Sequence, residues 1–548
     1  MRASVLFLLI AILACLLRFW QLGINPPSLD WDEVSLGYNA YSILKTGRDE
    51  YGTLFPLAIR SFGDFKPPLY TYLTIAPVAL FGLNEYSVRF ISALFGFLTV
   101  FMTYLLVKEL IPRERIALLS AFLLAISPWH LQFSRTAFES NLSLFFLISG
   151  VYAFLWGLKK ESLFILSGVL WGISLYAYHS PRLIAPVLIA GLSLIFFRKI
   201  WQRKWWFTIG MFIFGLMFLP IIIQMRSTGA RFGSVSAVNP DEKLGASIAA
   251  IEYDLHRGDW LGKFAHNRRI IFGREILGGY LDHFNFDFLF LTGDAPGRHH
   301  ASGMGMLYVI ELPLIVIGMF SLFRNFNREV LVIFLWFILA PIASSLTSGT
   351  PHAVRALIYL PTYQIFTAIG LFRMTELIIK AVRKLWIPAF AGMTGKNMRV
   401  LMTVVISLML MINVFYYLRM YYVHTPVEYS QWWQYGYKQV VEVVSKIEDR
   451  FERVIVTYKY DQPYIYFLFY NKVDPLWYQA QWGGGEIMRS NRSFGNYEFR
   501  YLNWEEDSNL TNTIFVGSPD EVPPDASGLV KEIKFLDGTV AFRIVARK

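Results

Sequence analysis

From the N-terminus to about residue 420 the chain is crossed repeatedly by apolar runs of about 16–22 residues, the length a helix needs to traverse a bilayer. A chain with that rhythm has few options. In hydrocarbon every backbone N–H and C=O must be satisfied internally, which restricts the architecture severely. Continuous runs of this length read as helices, so the expected fold is an α-helical polytopic membrane protein. Composition agrees: 55% of residues are hydrophobic and 17% are charged, against about 25% in a soluble protein.

The formal net charge of +11 is not a nucleic-acid signature. Most of the excess lies in short loops between apolar runs, where basic residues set orientation. Candidate inner loops are 108–115, 159–160, 198–204, 324–328 and 373–399, all richer in Lys and Arg than in acids. Threading the chain through them gives eleven spans, near 3–22, 87–107, 116–130, 141–158, 162–178, 183–197, 206–224, 305–323, 329–347, 356–372 and 400–420. The N-terminus is then cytoplasmic and the C-terminal tail extracytoplasmic, as expected of a bacterial inner-membrane protein. One apolar segment resists, "PPLYTYLTIAPVALFG" at 67–82. As a full span, the twelfth, it would put the later basic loops outside, so it reads as a re-entrant or half-buried piece on the outer side. Cys15 is the only cysteine, which excludes an internal disulfide and a cysteine-based metal site. "ILAC" has the look of a lipoprotein cleavage box, but Arg18-Phe19-Trp20 closes the run like an interfacial anchor of a first transmembrane helix.

Two units follow. Residues 1–423 form a transmembrane core with long outer loops at 23–86 and 225–304, and residues 424–548 form an extracytoplasmic α/β domain. In the latter, helices are expected near 430–449 and 462–471, and strands at "RVIVTY", "NTIFVG" and "VAFRIV".

The chemistry gathers on the expected outer face. "LDWDEVSLGYNA" places Asp30, Asp32 and Glu33 within four residues, just after the first span. All nine histidines fall in outer loops or at outer helix ends. The short outer loops each carry an arginine: Arg135 in "HLQFSRTAFES", Arg182 beside His179 in "HSPR", and Arg355 beside His352 in "PHAVR". Arg89 opens the second span, and Lys66 precedes the 67–82 segment. Positive-inside bias disfavours arginine here, and its planar fork suits phosphate. Snorkelling to lipid headgroups is the competing explanation for each arginine, and a solvated loop or helix N-cap for the acids. Taken together, carboxylates ringed by cations suit transfer from a phosphate-linked donor. Asp32 or Glu33 takes a proton from an attacking hydroxyl, and cations stabilise the leaving phosphate. Tyr38, Tyr41 and Trp31 are candidate sugar-stacking rings or interfacial anchors.

In order along residues 1–420, "LDWDEVSLGYNA", "KPPLYTYL", "SVRFISALFG", "SPWHLQFSRTAFES", "YHSPRL" and "TPHAVRALIYLP" resemble the outer-loop signatures of C-type membrane glycosyltransferases. The chain looks most like the protein O-mannosyltransferases and the related aminoarabinose lipid A transferase. That resemblance implies Asp32 as catalytic base with Glu33 beside it, Lys66 on the donor phosphate, a required arginine at Arg89, and an outer-face acid at Glu139. It also implies a polyprenyl-phosphate sugar donor, inversion at the anomeric carbon, and an acceptor hydroxyl on a protein, lipid or envelope glycan. No metal or other cofactor is expected. The lumenal β-trefoil modules of fungal and animal mannosyltransferases are missing, which puts a protein acceptor in question. "WWQYG" at 432–436 is similar to the WWDYG signature of oligosaccharyltransferases, with Gln434 in place of the acid. An oligosaccharyltransferase-like enzyme and a transporter are the alternatives. A transporter would place charges near mid-bilayer rather than at one face.

Overall fold

The structure is a computed structural model that describes residues 3–227, 240–385, 395–482 and 492–548. Parts of the expected outer loop (228–239), of the last inner loop (386–394) and of the tail (483–491) lie outside the described residues.

Each of the eleven expected spans coincides with helix. The first seven are Ala3–Phe19, Glu85–Leu110, the bent pair Glu114–Ile126 and Pro128–Ser134, Glu139–Gly157, Leu163–Ala177, Ser180–Ile195 and Lys204–Ser227. The remainder are Glu311–Arg324, Arg328–Leu339 continued by Ile342–Ser345, Thr362–Leu385 and Gly395–Arg419. Among the described residues, five helices are long and apolar enough to cross a membrane, or six if the pair bent by 59° is one span. The bend has a local cause: Ser127 caps the second helix and Pro128 opens its first turn. Helices Glu311–Arg324 and Thr362–Leu385 cross with their backbones almost touching. A Cβ on Gly370 would stand 1.8 Å from the Leu314 carbonyl oxygen, so only glycine fits.

The 67–82 segment is helix Leu69–Phe81, 13 residues with Pro77 inside. At 1.5 Å per residue it is about 20 Å long. It packs against helix Trp31–Thr46 and helix Glu85–Leu110. Just before it, strands β1 (Ile59–Ser61) and β2 (Asp64–Lys66) form a short antiparallel hairpin that ends on Lys66.

The tail carries a six-stranded sheet. Its strands are β3 (Arg453–Val456), β4 (Arg492–Phe494), β5 (Tyr497–Phe499), β6 (Thr513–Gly517), β7 (Leu529–Lys534) and β8 (Val540–Arg547), in the order β4-β5-β3-β6-β8-β7. β3 runs parallel to β5 and β6, and the other pairs are antiparallel. β3, β6 and β8 are the expected strands. β4, β5 and β7 were not expected, and the helix foreseen at 430–449 is confined to Tyr437–Val444 because turns occupy the residues before it. The tail's apolar interior is continuous with the first loop: Leu29, Val34 and Tyr38 share one buried cluster with Val454, Tyr464, Phe467 and Ile544. Gly37 marks the closest approach. A Cβ there would lie 2.5 Å from Val88 and 2.8 Å from Phe469, so helix Trp31–Thr46 is wedged between helix Glu85–Leu110 and helix Pro463–Tyr470.

Candidate active site

The acid cluster begins as a helix cap. Asp30 is the N-cap of helix Trp31–Thr46 and accepts from the Glu33 N–H at 2.8 Å, while Glu33 reaches back to the Asp30 N–H at 3.3 Å. Successive helical residues point about 100° apart. Asp32 and Glu33 therefore leave the first turn in different directions.

Glu33 turns inward. Arg89 grips it through two parallel bonds of 2.9 Å, from Nε to Oε1 and from Nη2 to Oε2. The Ala137 N–H donates to Oε1 at 2.7 Å. The remaining Arg89 donors go to the carbonyls of Pro26, Ser28 and Leu22. Both side chains are closed to solvent, 0% and 1% exposed. Expected as a catalytic acid and a donor-binding cation, they are an internal pair with every donor spent. Arg135 is a second case. It is buried, donates to Tyr421 Oη and to the carbonyls of Leu17, Arg18 and Asn25, and lies against the rings of Tyr421 and Tyr422. Both arginines pin the loop after the first helix to the bundle.

Asp32 turns outward. Its Oδ1 lies 2.6 Å from Lys66 Nζ, delivered by the hairpin; the two side chains are 35% and 12% exposed. Burial alone would lower the Lys66 ammonium, but Asp32, Glu139 and Asp30 outweigh it and hold the pKa above the usual lysine value. Lys66 is thus a firm cation in the field of three carboxylates. Glu139 opens helix Glu139–Gly157 and is half-buried on the same side.

A further cation closes the cluster, one that sequence reasoning missed. The Arg298 guanidinium lies over the Trp31 ring, 4.6 Å from its centroid, and Nε is 3.6 Å from Asp30 Oδ2. Its Nη1 is buried without a hydrogen-bond partner among the described residues. Burial raises the Asp30 carboxyl above the ordinary range, with Arg298 opposing. Arg298 stands in an irregular stretch with no periodicity or recognised motif. Its only advance signal was a cation in a long outer loop.

The other expected residues divide. His179 and Arg182 neighbour Arg355, whose carbonyl accepts from Ser180 Oγ at 3.2 Å. Arg182 donates to the Leu175 carbonyl, and Arg355 to Thr347 Oγ1 and the Ser348 carbonyl. His352 lies beside His299, with ring centroids 5.2 Å apart, and with Asp294 these form a group able to hold a metal ion. Tyr38 does not line the acid cluster. It is buried, and its hydroxyl donates to the Val473 carbonyl in the tail.

The "WWQYG" turn meets helix Trp31–Thr46 directly. Gln434 Oε1 accepts from the Trp31 N–H at 2.9 Å and from the Tyr466 hydroxyl at 2.6 Å, while its Nε2 donates to the Tyr460 carbonyl at 2.7 Å. Trp433 is buried with its ring 5.8 Å from the Arg89 guanidinium. Gln434 therefore satisfies one of the open N–H groups at the start of the helix that carries Asp32.

Residues 65–223 match the family model described as dolichyl-phosphate-mannose-protein mannosyltransferase. An uncharacterized protein of Aquifex aeolicus (strain VF5) is 32% identical over 165 residues, 29% of this chain and 32% of that one. The match thus spans about a third of the length of that relative. In three dimensions, ArnT from Cupriavidus metallidurans aligns over 99% of this chain and 97% of its own, with 13% identity and a TM-score of 0.55. Its undecaprenyl-phosphate-bound form aligns equally well. The Archaeoglobus fulgidus oligosaccharyltransferase covers 86% of this chain and 63% of its own, with 14% identity and a TM-score of 0.50. The chain has the fold of the C-type membrane glycosyltransferases, and the resemblance read from its motifs is borne out.

Proposed function

We propose that the protein is an inverting glycosyltransferase that moves a single sugar from a polyprenyl-phosphate donor to an acceptor hydroxyl at the outer face of the membrane. The observation that carries this reading is the Asp32–Lys66 pair: a half-exposed carboxylate and a cation 2.6 Å apart, with Arg298 at the same helix start. Asp32 takes the proton of the acceptor hydroxyl as its oxygen attacks the anomeric carbon. The bond from that carbon to the phosphate oxygen breaks, and the polyprenyl phosphate leaves with the electron pair. Lys66 leaves Asp32 for the departing phosphate, and Arg298, with an unspent donor, joins it; fixed cations at a site of developing charge stabilise the transition state. Glu33, Arg89 and Arg135 act beneath this layer by holding the helix start in place.

Gln434 speaks against acceptor reading of the oligosaccharyltransferase kind, because its amide is already spent on the protein's own backbone and on Tyr466. The test is direct. Purified protein given a labelled polyprenyl-phosphate monosaccharide should release polyprenyl phosphate and pass the label to an acceptor from the native membrane. Release of polyprenyl pyrophosphate from an oligosaccharide donor would favour the oligosaccharyltransferase, and solute flux through proteoliposomes without any lipid product would favour a transporter.

A further inference from the structure

We infer that Asp294, His299 and His352 form a binding site for a zinc-class divalent metal ion that fixes the segment bearing Arg298. One ligand atom from each of the three residues lies within 4.8 Å of the others. In a tetrahedral zinc site with bonds of about 2.0–2.1 Å, ligand atoms stand about 3.3 Å apart, so the three close by about 1.5 Å around an ion. Within the group, Asp294 and His299 are buried, 6% and 3% exposed, and His352 is half-buried.

Two polar atoms in it want a partner. Asp294 Oδ2 is engaged, bonded to His299 Nδ1 at 2.7 Å and to the Ala353 N–H at 2.9 Å. Asp294 Oδ1 and His352 Nδ1 are buried with no hydrogen-bond partner among the described residues. Buried polar atoms left in that state destabilise a fold, and a metal ion would satisfy both at once. The donor set selects the ion class. Two imidazoles and one carboxylate suit zinc and its neighbours, whereas magnesium and calcium favour all-oxygen cages. The Phe133 and Phe138 rings pack on His299 and give the group an apolar wall. His283 is nearby, but its ring nitrogens are bonded to the Gly279 carbonyl and Ser344 Oγ, so it supplies no fourth ligand. Three protein ligands leave one coordination position open.

The site joins two segments distant in sequence. Arg298 immediately precedes His299, and its carbonyl accepts from Gln132 Nε2 at 2.7 Å. An ion on His299 therefore anchors the backbone from which Arg298 reaches Trp31. That positioning role rests on the reaction proposed above, whereas metal binding does not and is read without turnover.

The full-length protein in detergent should be stripped with chelator and titrated with Co2+. About one equivalent should bind per chain with the visible d–d absorption of a tetrahedral nitrogen and oxygen site, and Zn2+ should displace it. Zn2+ should also raise the thermal midpoint of the stripped protein. Asp294→Asn combined with His352→Ala should abolish both signals, while His266→Ala and His424→Ala, which remove exposed histidines elsewhere, should keep them. Absence of the tetrahedral spectrum in the stripped wild-type protein overturns the proposal even if the double variant fails to fold. So does retention of the spectrum in the double variant. If the ion binds but its removal leaves donor KM unchanged in an active enzyme, the positioning role fails and the site stands.

Discussion

Two carboxylate–cation pairs leave the first turn of helix Trp31–Thr46, one residue apart, and they meet different surroundings. Glu33 and Arg89 are sealed from water, joined by two parallel bonds, with their remaining groups tied to backbone. Asp32 and Lys66 meet at a surface that solvent reaches, where Lys66 Nζ donates to Asp32 Oδ1 at 2.6 Å and to the Asp32 carbonyl at 3.4 Å. The chemistry of the pairs is nearly the same, and the difference lies in what else each group holds. A pair with all its bonds made inside the protein holds the fold together, and exchanging a proton or a cation there would break those bonds. A pair that solvent reaches can exchange its partner for a substrate.

The widest break between them should come from the buried side. Arg89→Ala leaves the Glu33 carboxylate sealed and unpaired, which costs about 3–5 kcal/mol. The variant should melt far below wild type in detergent, or fail to accumulate, and any activity loss should track the loss of folded protein. Asp32→Asn comes next and should do the reverse. Turnover should fall roughly 10²-fold or more, equivalent to about 2.7 kcal/mol in the barrier, with an unchanged melting curve. Near wild-type turnover in Asp32→Asn would move the base elsewhere, to Glu139 first. If Asp32→Asn instead unfolded the protein, the contrast between the pairs would collapse.

Smaller effects sharpen the contrast. Arg298→Ala should weaken donor use by roughly 10-fold or more, since it removes a cation from the leaving group while Lys66 stays. Donor kinetics that do not change would make Arg298 a mere cover over Trp31. Gln434→Leu should be mildest. It strips the Trp31 N–H and the Tyr466 hydroxyl of an acceptor, at about 1–3 kcal/mol. It should lower kcat more than it changes donor KM, because the helix start that aims Asp32 loosens while the phosphate cations remain. A rise in acceptor KM alone would show that Gln434 reads the acceptor instead.

Much of this was legible in the sequence, for reasons that also explain what was not. The apolar runs located the helices because hydrocarbon leaves a chain little choice. The order of short motifs identified the fold although no single motif could. The helix phase that separates Asp32 from Glu33 was hidden: the helix they open is buried along both flanks, so its hydrophobic pattern does not mark which side faces water. Tyr38 was misplaced for the same reason, since the flank it occupies is covered by a tail more than 400 residues away in the chain. Gln434 and the Asp294, His299 and His352 group depend on contacts between distant segments, which spacing along a chain cannot display. β4 and β5 are three residues each, too short for alternation to register.

The wedge at Gly37 bears on how such a protein could be re-engineered. With Val88 on one side and Phe469 on the other, the acid-bearing helix belongs equally to the membrane bundle and to the tail. The tail is therefore not a detachable cassette. Grafting a relative's C-terminal part after residue 423 would set a foreign surface against Gly37, Tyr38 and the Trp31 N–H. A working chimera would have to exchange residues 29–50 along with the tail, so that the new tail arrives together with the helix it packs against.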